Sequence, residues 1–209
     1  SGVGNIDIYN GLTIDTRVIA SGTTKSTALK GGGHVTLGGG NTAGTGFASG
    51  ENAAGAEGIR IDNNFTVRSG GGNISLRGQS WVGAVSSGHG AWGVGFWSGS
   101  FTADAGVGQV VILGTSRSTG SDSLKQGITV YGSTDIRSAD AGGDAIALEG
   151  TTTTTALGRN QGIAFNWLES SGSVNMVASG EGGGIVLSGY ANDWSLVFWR
   201  PANLISNGG

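Results

Sequence analysis

Three short motifs recur along the chain in a fixed order, and this repetition constrains the fold more than any other feature of the sequence. The first motif reads glycine, an aliphatic residue, any residue, then an apolar residue. Clear copies begin at Gly58, Gly93, Gly127 and Gly162. These glycines are 35, 34 and 35 residues apart, and weaker copies occupy residues 5–8 and 195–198. A period this regular is typical of a repeat architecture rather than of an ordinary globule.

Two further motifs follow each copy of the first. The second motif occupies residues 12–14, 65–67, 101–103, 134–136, 174–176 and 203–205. The third comes after a cluster of glycines and occupies residues 35–37, 74–76, 111–113, 146–148 and 185–187. In most copies apolar residues alternate with others, which indicates a strand with one buried face.

Equivalent strands that stack about 4.8 Å apart form parallel ladders, with their alternate apolar side chains piled into columns inside the coil. The sequence therefore predicts an all-β fold, a right-handed parallel β-helix (β-solenoid) built from about five repeats of roughly 35 residues. Residues 1–209 form one such segment. Antiparallel hairpins, as in a propeller blade or a sandwich, are the alternative, which the fixed order of the motifs disfavours.

The number of residues in one coil is open at this point. One repeat is either a single wide coil with an outer loop or two coils of about 18 residues, half the observed period. Residues 81–85 and 44–48 are candidates for the extra strands, and we favour two coils. Between the third motif and the next first motif, as in residues 151–161, lengths vary, so we expect surface turns there.

Composition excludes several other classes of protein. The chain has 44 glycines but one proline, which excludes collagen, and its 37% hydrophobic and 12% charged residues disfavour disorder. A net charge of −3 without a basic block disfavours a nucleic-acid partner. No apolar run is long enough to predict a membrane span. The absence of cysteine excludes disulfides and thiolate metal sites.

The stretches Gly70–Leu76, which reads Gly-Gly-Gly-Asn-Ile-Ser-Leu, and Gly158–Ile163 carry a family resemblance. With the first two motifs they make the chain resemble the filamentous-haemagglutinin-like repeats of giant bacterial exoproteins. The resemblance covers most of the chain. It implies a secreted adhesin or shaft, located outside the cell or on the bacterial outer surface and exported with the help of an outer-membrane transporter.

The leading functional expectation is a non-catalytic structural shaft or filament unit that associates with itself or with neighbouring surface proteins. The sequence begins and ends within a repeat, so we expect it to be part of a longer chain or a unit that stacks on copies of itself. The alternative is an adhesin module that binds a glycan or a host protein. A polysaccharide-degrading β-helix enzyme is a third and weaker reading.

Candidates for catalysis or metal binding are few. His34 and His89 are far apart and neither has a second ligand at metal spacing. Asp135, Asp140 and Asp144 form the densest acidic group, which we interpret as a turn whose carboxylates bond the backbone. The sequence therefore predicts no catalytic residue, no metal site and no cofactor.

One position supplies the candidate site. The residue directly after each copy of the first motif should face outward, because the apolar residue before it faces inward. Along the repeats this position holds Tyr9, Asp62, Trp97, Tyr131, Asn166 and Trp199, with Trp167 displaced by one residue. An exposed row of aromatic rings would contact a protein or a glycan. The competing interpretation is that an outer loop, such as the segment containing Trp81 or Trp92, folds back and buries the row.

Overall fold

The structure, a computed structural model, describes residues 4–17, 32–39, 46–85, 90–121, 124–155, 158–165 and 172–207. These residues form β-strands and turns, and none of them belongs to a helix that is long and apolar enough to cross a membrane. The strands are β1 Ile6–Ile8, β2 Leu12–Asp15, β3 Val35–Leu37, β4 Ala48–Ser49, β5 Ile59–Ile61, β6 Phe65–Arg68, β7 Ile74–Gln79, β8 Ala91–Phe96, β9 Ser100–Asp104, β10 Val110–Ser116, β11 Lys125–Val130, β12 Ser133–Ser138, β13 Ile146–Thr152, β14 Asn160–Phe165, β15 Val174–Ala178, β16 Ile185–Tyr190, β17 Trp194–Phe198 and β18 Ala202–Ser206.

The strands pair in parallel and form three sheets, one for each sequence motif. Sheet 1 has the order β1-β5-β8-β11-β14-β17, and sheet 2 has the order β2-β6-β9-β12-β15-β18. Sheet 3 has the order β3-β7-β10-β13-β16, with β4 also paired to β7. The fold is therefore a parallel β-solenoid, as the sequence predicts, and the antiparallel alternative is wrong. The right-handed sense of the coil stays a prediction.

One repeat makes one coil, so the expectation of two shorter coils per repeat is wrong. Ile59 is in register with Val94, and Ile128 with both Val94 and Ile163, so each rung advances by a full repeat. Residues 81–85 form no strand. Among the described residues, five coils contribute a strand to all three sheets, and β17 and β18 begin a sixth.

The short strand β4 explains why the other candidate segment adds no extra coil. Ala48 pairs with Gly78 and Ser49 with Gln79, directly beyond the residues of β7 that β3 pairs with. Strands β3 and β4 therefore occupy the same rung of sheet 3. Of the proposed strand 44–48, residues 44 and 45 lie outside the described residues.

The core runs along the axis of the solenoid as columns of apolar side chains. Each strand of sheet 2 in the middle coils buries alternate residues, as in the buried, half-buried alternation of Phe65–Arg68. Aromatic rings stack between rungs, with ring centroids 5.9 Å apart for Phe65 and Phe101 and 4.8 Å apart for Phe165 and Phe198. Because each coil covers the apolar face of the next, the repeats stabilise one another.

Glycines let sheets 1 and 3 approach backbone to backbone. A Cβ atom at Gly93 would lie 2.1 Å from the backbone nitrogen of Thr115, and one at Gly114 would lie 2.0 Å from the carbonyl oxygen of Gly127. No side chain fits in this space, which explains why glycine recurs in the first motif and after the third. The contact separates the main core from a smaller cluster that contains Ala56, Val85 and Ala91.

The segment of residues 151–161 was expected to form surface turns. This expectation is wrong at both ends of the segment, which belong to strands β13 and β14. Thr152 is the last residue of β13 and is buried, and its hydroxyl donates a 2.7 Å hydrogen bond to the carbonyl oxygen of Gln161. Asn160 and Gln161 open β14 and are buried as well. Lys125, the register partner of Asn160, is also fully buried. Polar residues therefore belong to the interior here, which a hydrophobic pattern cannot reveal.

Candidate functional site

The strand register aligns the predicted row of residues. Ile8 pairs with Ile61, Ile61 with Phe96, and Phe96 with Val130, so the residues that follow them occupy the same position in successive coils. We call this row the outer column. Its described members are Tyr9, Asp62, Trp97, Tyr131 and Trp199. Asn166 and Trp167, which the sequence also placed there, lie outside the described residues.

Exposure differs sharply along the outer column. Tyr9 is 51% exposed, Trp97 38% and Trp199 46%, in agreement with the expected outward direction. Tyr131 is only 1% exposed, so the expectation that it faces solvent is wrong. Among these described aromatic members, the outer column is therefore closed at Tyr131 and open at Tyr9, Trp97 and Trp199.

Trp92 contributes to the burial of Tyr131. The ring centroid of Trp92 lies 5.6 Å from that of Tyr131 and 5.1 Å from that of Trp97, with the two tryptophan planes nearly parallel. The indole lies across the outer face of its own strand, because a Cβ atom at Gly95 would be 2.4 Å from Trp92 Cε3. Trp92 therefore covers Tyr131, as the competing interpretation expected, but it does so from strand β8 and not from an outer loop that folds back.

Arg60 joins the first coil to the third. The central carbon of its guanidinium lies 5.6 Å from the ring centroid of Tyr9 and 6.0 Å from that of Trp97. With Tyr131, whose ring centroid is 4.9 Å from that of Trp97, these residues form a continuous series across four coils. We call Tyr9, Arg60, Trp97 and Tyr131 the axial stack. Cation–π contacts of this kind contribute about 0.5 to 1 kcal/mol at exposed sites.

Two carboxylates hold the guanidinium of Arg60 in place. Arg60 Nη2 is 3.1 Å from Asp62 Oδ2, and Nη1 is 3.8 Å from Oε1 of the buried Glu57. Burial acts to lower the pKa of Arg60, but the hydrogen bond and negative charge of Asp62, with the charge of Glu57, raise it overall. The arginine is therefore charged, fixed and directed along the axis between rings of neighbouring coils.

A group of buried polar side chains lies beside Trp92. Gln126 on β11 is the register partner of Trp92, and Gln161 on β14 is the register partner of Gln126. The hydroxyl of Tyr131 donates to Gln126 Oε1 at 3.4 Å, and Gln126 Nε2 donates to Gln161 Oε1. Burial raises the pKa of Tyr131 to about 12. In the part of the chain that the structure describes, Trp92 Nε1 and Gln161 Nε2 have no hydrogen-bond partner. The polar group fixes the tyrosine as a neutral hydrogen-bond donor.

A second row of side chains, on the outer face of sheet 2, escaped the sequence interpretation. Asn175 Nδ2 donates to Asp135 Oδ1 at 2.7 Å, and Asn203 Nδ2 donates to Asn175 Oδ1 at 2.8 Å. These residues are register neighbours on β12, β15 and β18. Part of the signal was present in the sequence, since Asp135 and Asn175 are each the middle residue of a second motif, whereas Asn203 is the first residue of the last copy. We call the row the amide ladder.

The acidic group and the histidines have structural contacts. Asp135 is on strand β12, not in a turn, and its carboxylate pairs with Arg137 at 3.0 Å, so the turn interpretation is wrong for this residue. His34 Nδ1 accepts a 2.9 Å hydrogen bond from the backbone N–H of Asn73. His89 lies outside the described residues. The described ranges contain no group of three or more histidine, cysteine or acidic residues placed to hold a metal ion.

Comparisons with known proteins add no family to this picture. No protein-family model, no curated protein sequence and no solved structure matches the chain.

Proposed function

We propose that the chain is a segment of a structural shaft. The observation that carries this proposal is the continuity of bonding along the axis. All three sheets run through the solenoid as parallel ladders, and the axial stack and the amide ladder add side-chain contacts between successive coils on the outside. Such a coil resists bending and extension, because every backbone ladder must be broken before two coils separate.

The geometry of the axial stack supports a structural role for the aromatic residues. The guanidinium of Arg60 lies over the rings of both Tyr9 and Trp97, and Trp97 is also stacked on Trp92. Ring faces that already contact neighbouring coils are less available for stacking on a sugar. The carboxylate of Asp62 is also engaged, with Arg60, and so is that of Asp135 on sheet 2, with Arg137. We therefore propose a shaft that performs no catalysis.

A location on the bacterial outer surface or outside the cell, with export by an outer-membrane transporter, remains part of this proposal. It rests on the resemblance to filamentous-haemagglutinin-like repeats. The second candidate function, an adhesin module for a glycan or a host protein, is favoured by the exposure of Trp97 and Trp199. If it holds, Trp97→Ala and Trp199→Ala will each weaken binding on a glycan array or to host-cell extracts, whereas a pure shaft shows no binding to lose.

The shaft proposal is tested by adding one coil. A variant that repeats residues 128–162 once inserts one register step, from Ile128 to Ile163. Small-angle X-ray scattering should show a particle longer by about 4.8 Å with an unchanged cross-section. Its cooperative unfolding should be as sharp as that of the parent chain. A wider particle, or an insertion that loops out and leaves the length unchanged, would contradict the proposal.

A further inference from the structure

The outer face of sheet 3 carries aliphatic side chains in the middle of the solenoid. Strand β10 buries alternate residues, and the residues between them, Val111, Leu113 and Thr115, point outward and are half-buried. On the neighbouring strand β13, Ala147 is the register partner of Val111 and is also half-buried. The turn that leads into β10 adds Val107, which is 45% exposed. Contiguous apolar side chains on a surface mark a site of contact with another molecule.

This apolar patch belongs to sheet 3 and not to the repeat as such. On sheet 2, the outward residues of strands β6, β9 and β12 are all serine, threonine, aspartate or arginine. These strands lie in the same three coils as β7, β10 and β13. The solenoid therefore forms equally well with polar residues on an outer face. The aliphatic residues of β10 are not needed for the coil, which indicates that they serve a contact on this face.

Two opposite charges flank the patch. Arg77 on β7 is in register with Leu113, and Leu113 is in register with Glu149 on β13. We call these three residues the central row. Both charged residues alternate with buried ones and point outward, and Glu149 is exposed. Within the described ranges neither has an ion-pair partner, and Arg77 donates a 3.0 Å hydrogen bond to Ser75. The central row therefore presents a cation, an apolar side chain and an anion in successive coils.

The central row is complementary to a second copy of itself in the reverse order. Two copies can face each other through sheet 3 across a two-fold axis parallel to β10, which reverses the order of the coils in the second copy. Arg77 then faces Glu149 of the second copy, Glu149 faces its Arg77, and Leu113 faces its own equivalent. Polar neighbours match as well, because Gln79 faces Thr151 of the second copy. With the coils in the same order, Arg77 would face Arg77 and Glu149 would face Glu149, which like-charge repulsion disfavours.

From this complementarity we infer that the outer face of sheet 3 docks a second copy of this chain, whose solenoid axis runs in the opposite direction. Sheets packed face to face lie about 10 Å apart, so the outward side chains of both copies fill the space between them. The contact is isologous and closes as a dimer. Its apolar centre supplies the affinity, and the charges fix the orientation, because exposed ion pairs add little binding energy. The inference goes beyond the proposed shaft function, since a solenoid of any function could pair in this way.

The first test places a charge at the centre of the contact. Leu113→Asp would bring two carboxylates together across the two-fold axis. Val177→Asp is the matched control, because Val177 is a half-buried outward residue of β15 on sheet 2. Sedimentation equilibrium over a range of concentrations measures the Kd of the dimer, and circular dichroism verifies that each variant is folded. The parent chain and Val177→Asp should dimerise, and Leu113→Asp should raise the Kd by about tenfold or more. A parent chain that stays monomeric at every concentration, or an unchanged Kd for folded Leu113→Asp, would overturn the inference.

The second test exchanges the charges and keeps Leu113, so it decides the matter even if Leu113→Asp does not fold. Arg77→Glu makes both flanking residues of the central row acidic, and Glu149→Arg makes both basic. Each variant should dimerise with itself about tenfold or more weakly than the parent, because like charges then face each other. An equal mixture of the two variants, and the double variant, should regain the Kd of the parent. A mixture that pairs no better than either variant alone would overturn the inference.

Discussion

The middle and the end of the outer column differ although the repeat places the same kind of residue in both. Tyr131, in the fourth coil, is packed against Trp92 and Trp97 and is buried. Trp199, in the sixth coil, has Trp194 as a ring neighbour at 6.1 Å and is 46% exposed. The repeat therefore fixes the direction of a side chain, whereas residues that do not repeat decide what covers it.

The largest effect on this comparison should come from Trp92→Ala. The substitution removes the ring that covers Tyr131 and Trp97, and truncation of a buried large aromatic residue costs about 3 to 5 kcal/mol of unfolding free energy. Trp199→Ala, at the exposed end, should cost less than about 1 kcal/mol. Urea denaturation measures both values. Equal losses would show that the middle and the end of the column are energetically alike.

Gly95→Ala should have the next largest effect. Its Cβ atom would meet the ring of Trp92 at 2.4 Å, so the indole must shift away from Tyr131. Overpacking of this kind costs about 1 to 3 kcal/mol. Gly142→Ala is the control, because the nearest atoms to its Cβ are side-chain oxygens at 3.9 Å. Thermal unfolding should separate the two variants, and a Gly95→Ala protein as stable as the control would contradict the placement of Trp92.

Alkaline pH should act on the middle of the column through Tyr131. Its pKa is raised to about 12 by burial, whereas an unfolded tyrosine ionises near 10. The stability that depends on neutral Tyr131 is therefore complete below pH 10 and is lost as the pH rises towards 12, a change on the order of 2 kcal/mol. Tyr131→Phe should remove this part of the pH dependence. An unchanged profile of unfolding free energy between pH 9 and about 12 would contradict the burial of the phenol.

The smallest effect should follow Arg60→Gln. The variant keeps a polar side chain but loses the cation between Tyr9 and Trp97, and we expect a loss of about 1 kcal/mol. Asp62→Asn, which releases the guanidinium but keeps its charge, should cost less. If Arg60→Gln is neutral while Trp97→Ala is destabilising, the aromatic contacts alone hold the axial stack together.

The three-sheet solenoid could be predicted from the sequence because the motifs are strands whose apolar residues recur in register. The length of one coil could not, because residues 81–85 are as rich in apolar residues as a strand. What excludes a second coil is the register of Val94 with Ile59 and with Ile128, and these pairs join residues 35 and 34 positions apart.

The candidate site was predicted in part. The outer column and its direction follow from alternation, and Tyr9, Trp97 and Trp199 have the expected exposure. Tyr131 differs because Trp92, on the neighbouring strand, lies over Gly95. Alternation along a strand would place residues 92 and 95 on opposite faces, so nothing in the sequence pattern indicated this arrangement. The amide ladder could be predicted only in part, because Asp135 and Asn175 share the middle position of the second motif but Asn203 is the first residue of its copy.

Cysteine cross-linking tests the central claim, one coil per repeat, most directly because the chain contains no cysteine. Thr66 and Thr102 are register partners on the outer face of sheet 2, and Thr13 is the partner of Thr66 on the other side. Neighbouring rungs are about 4.8 Å apart and alternate rungs roughly twice that distance. A disulfide needs a Cα–Cα distance of roughly 4.4 to 6.8 Å. The pair Thr66→Cys and Thr102→Cys should therefore oxidise readily, and the pair Thr13→Cys and Thr102→Cys should not. Two coils per repeat would separate Thr66 from Thr102 by an extra rung, and failure of that pair to cross-link in folded protein would contradict the account.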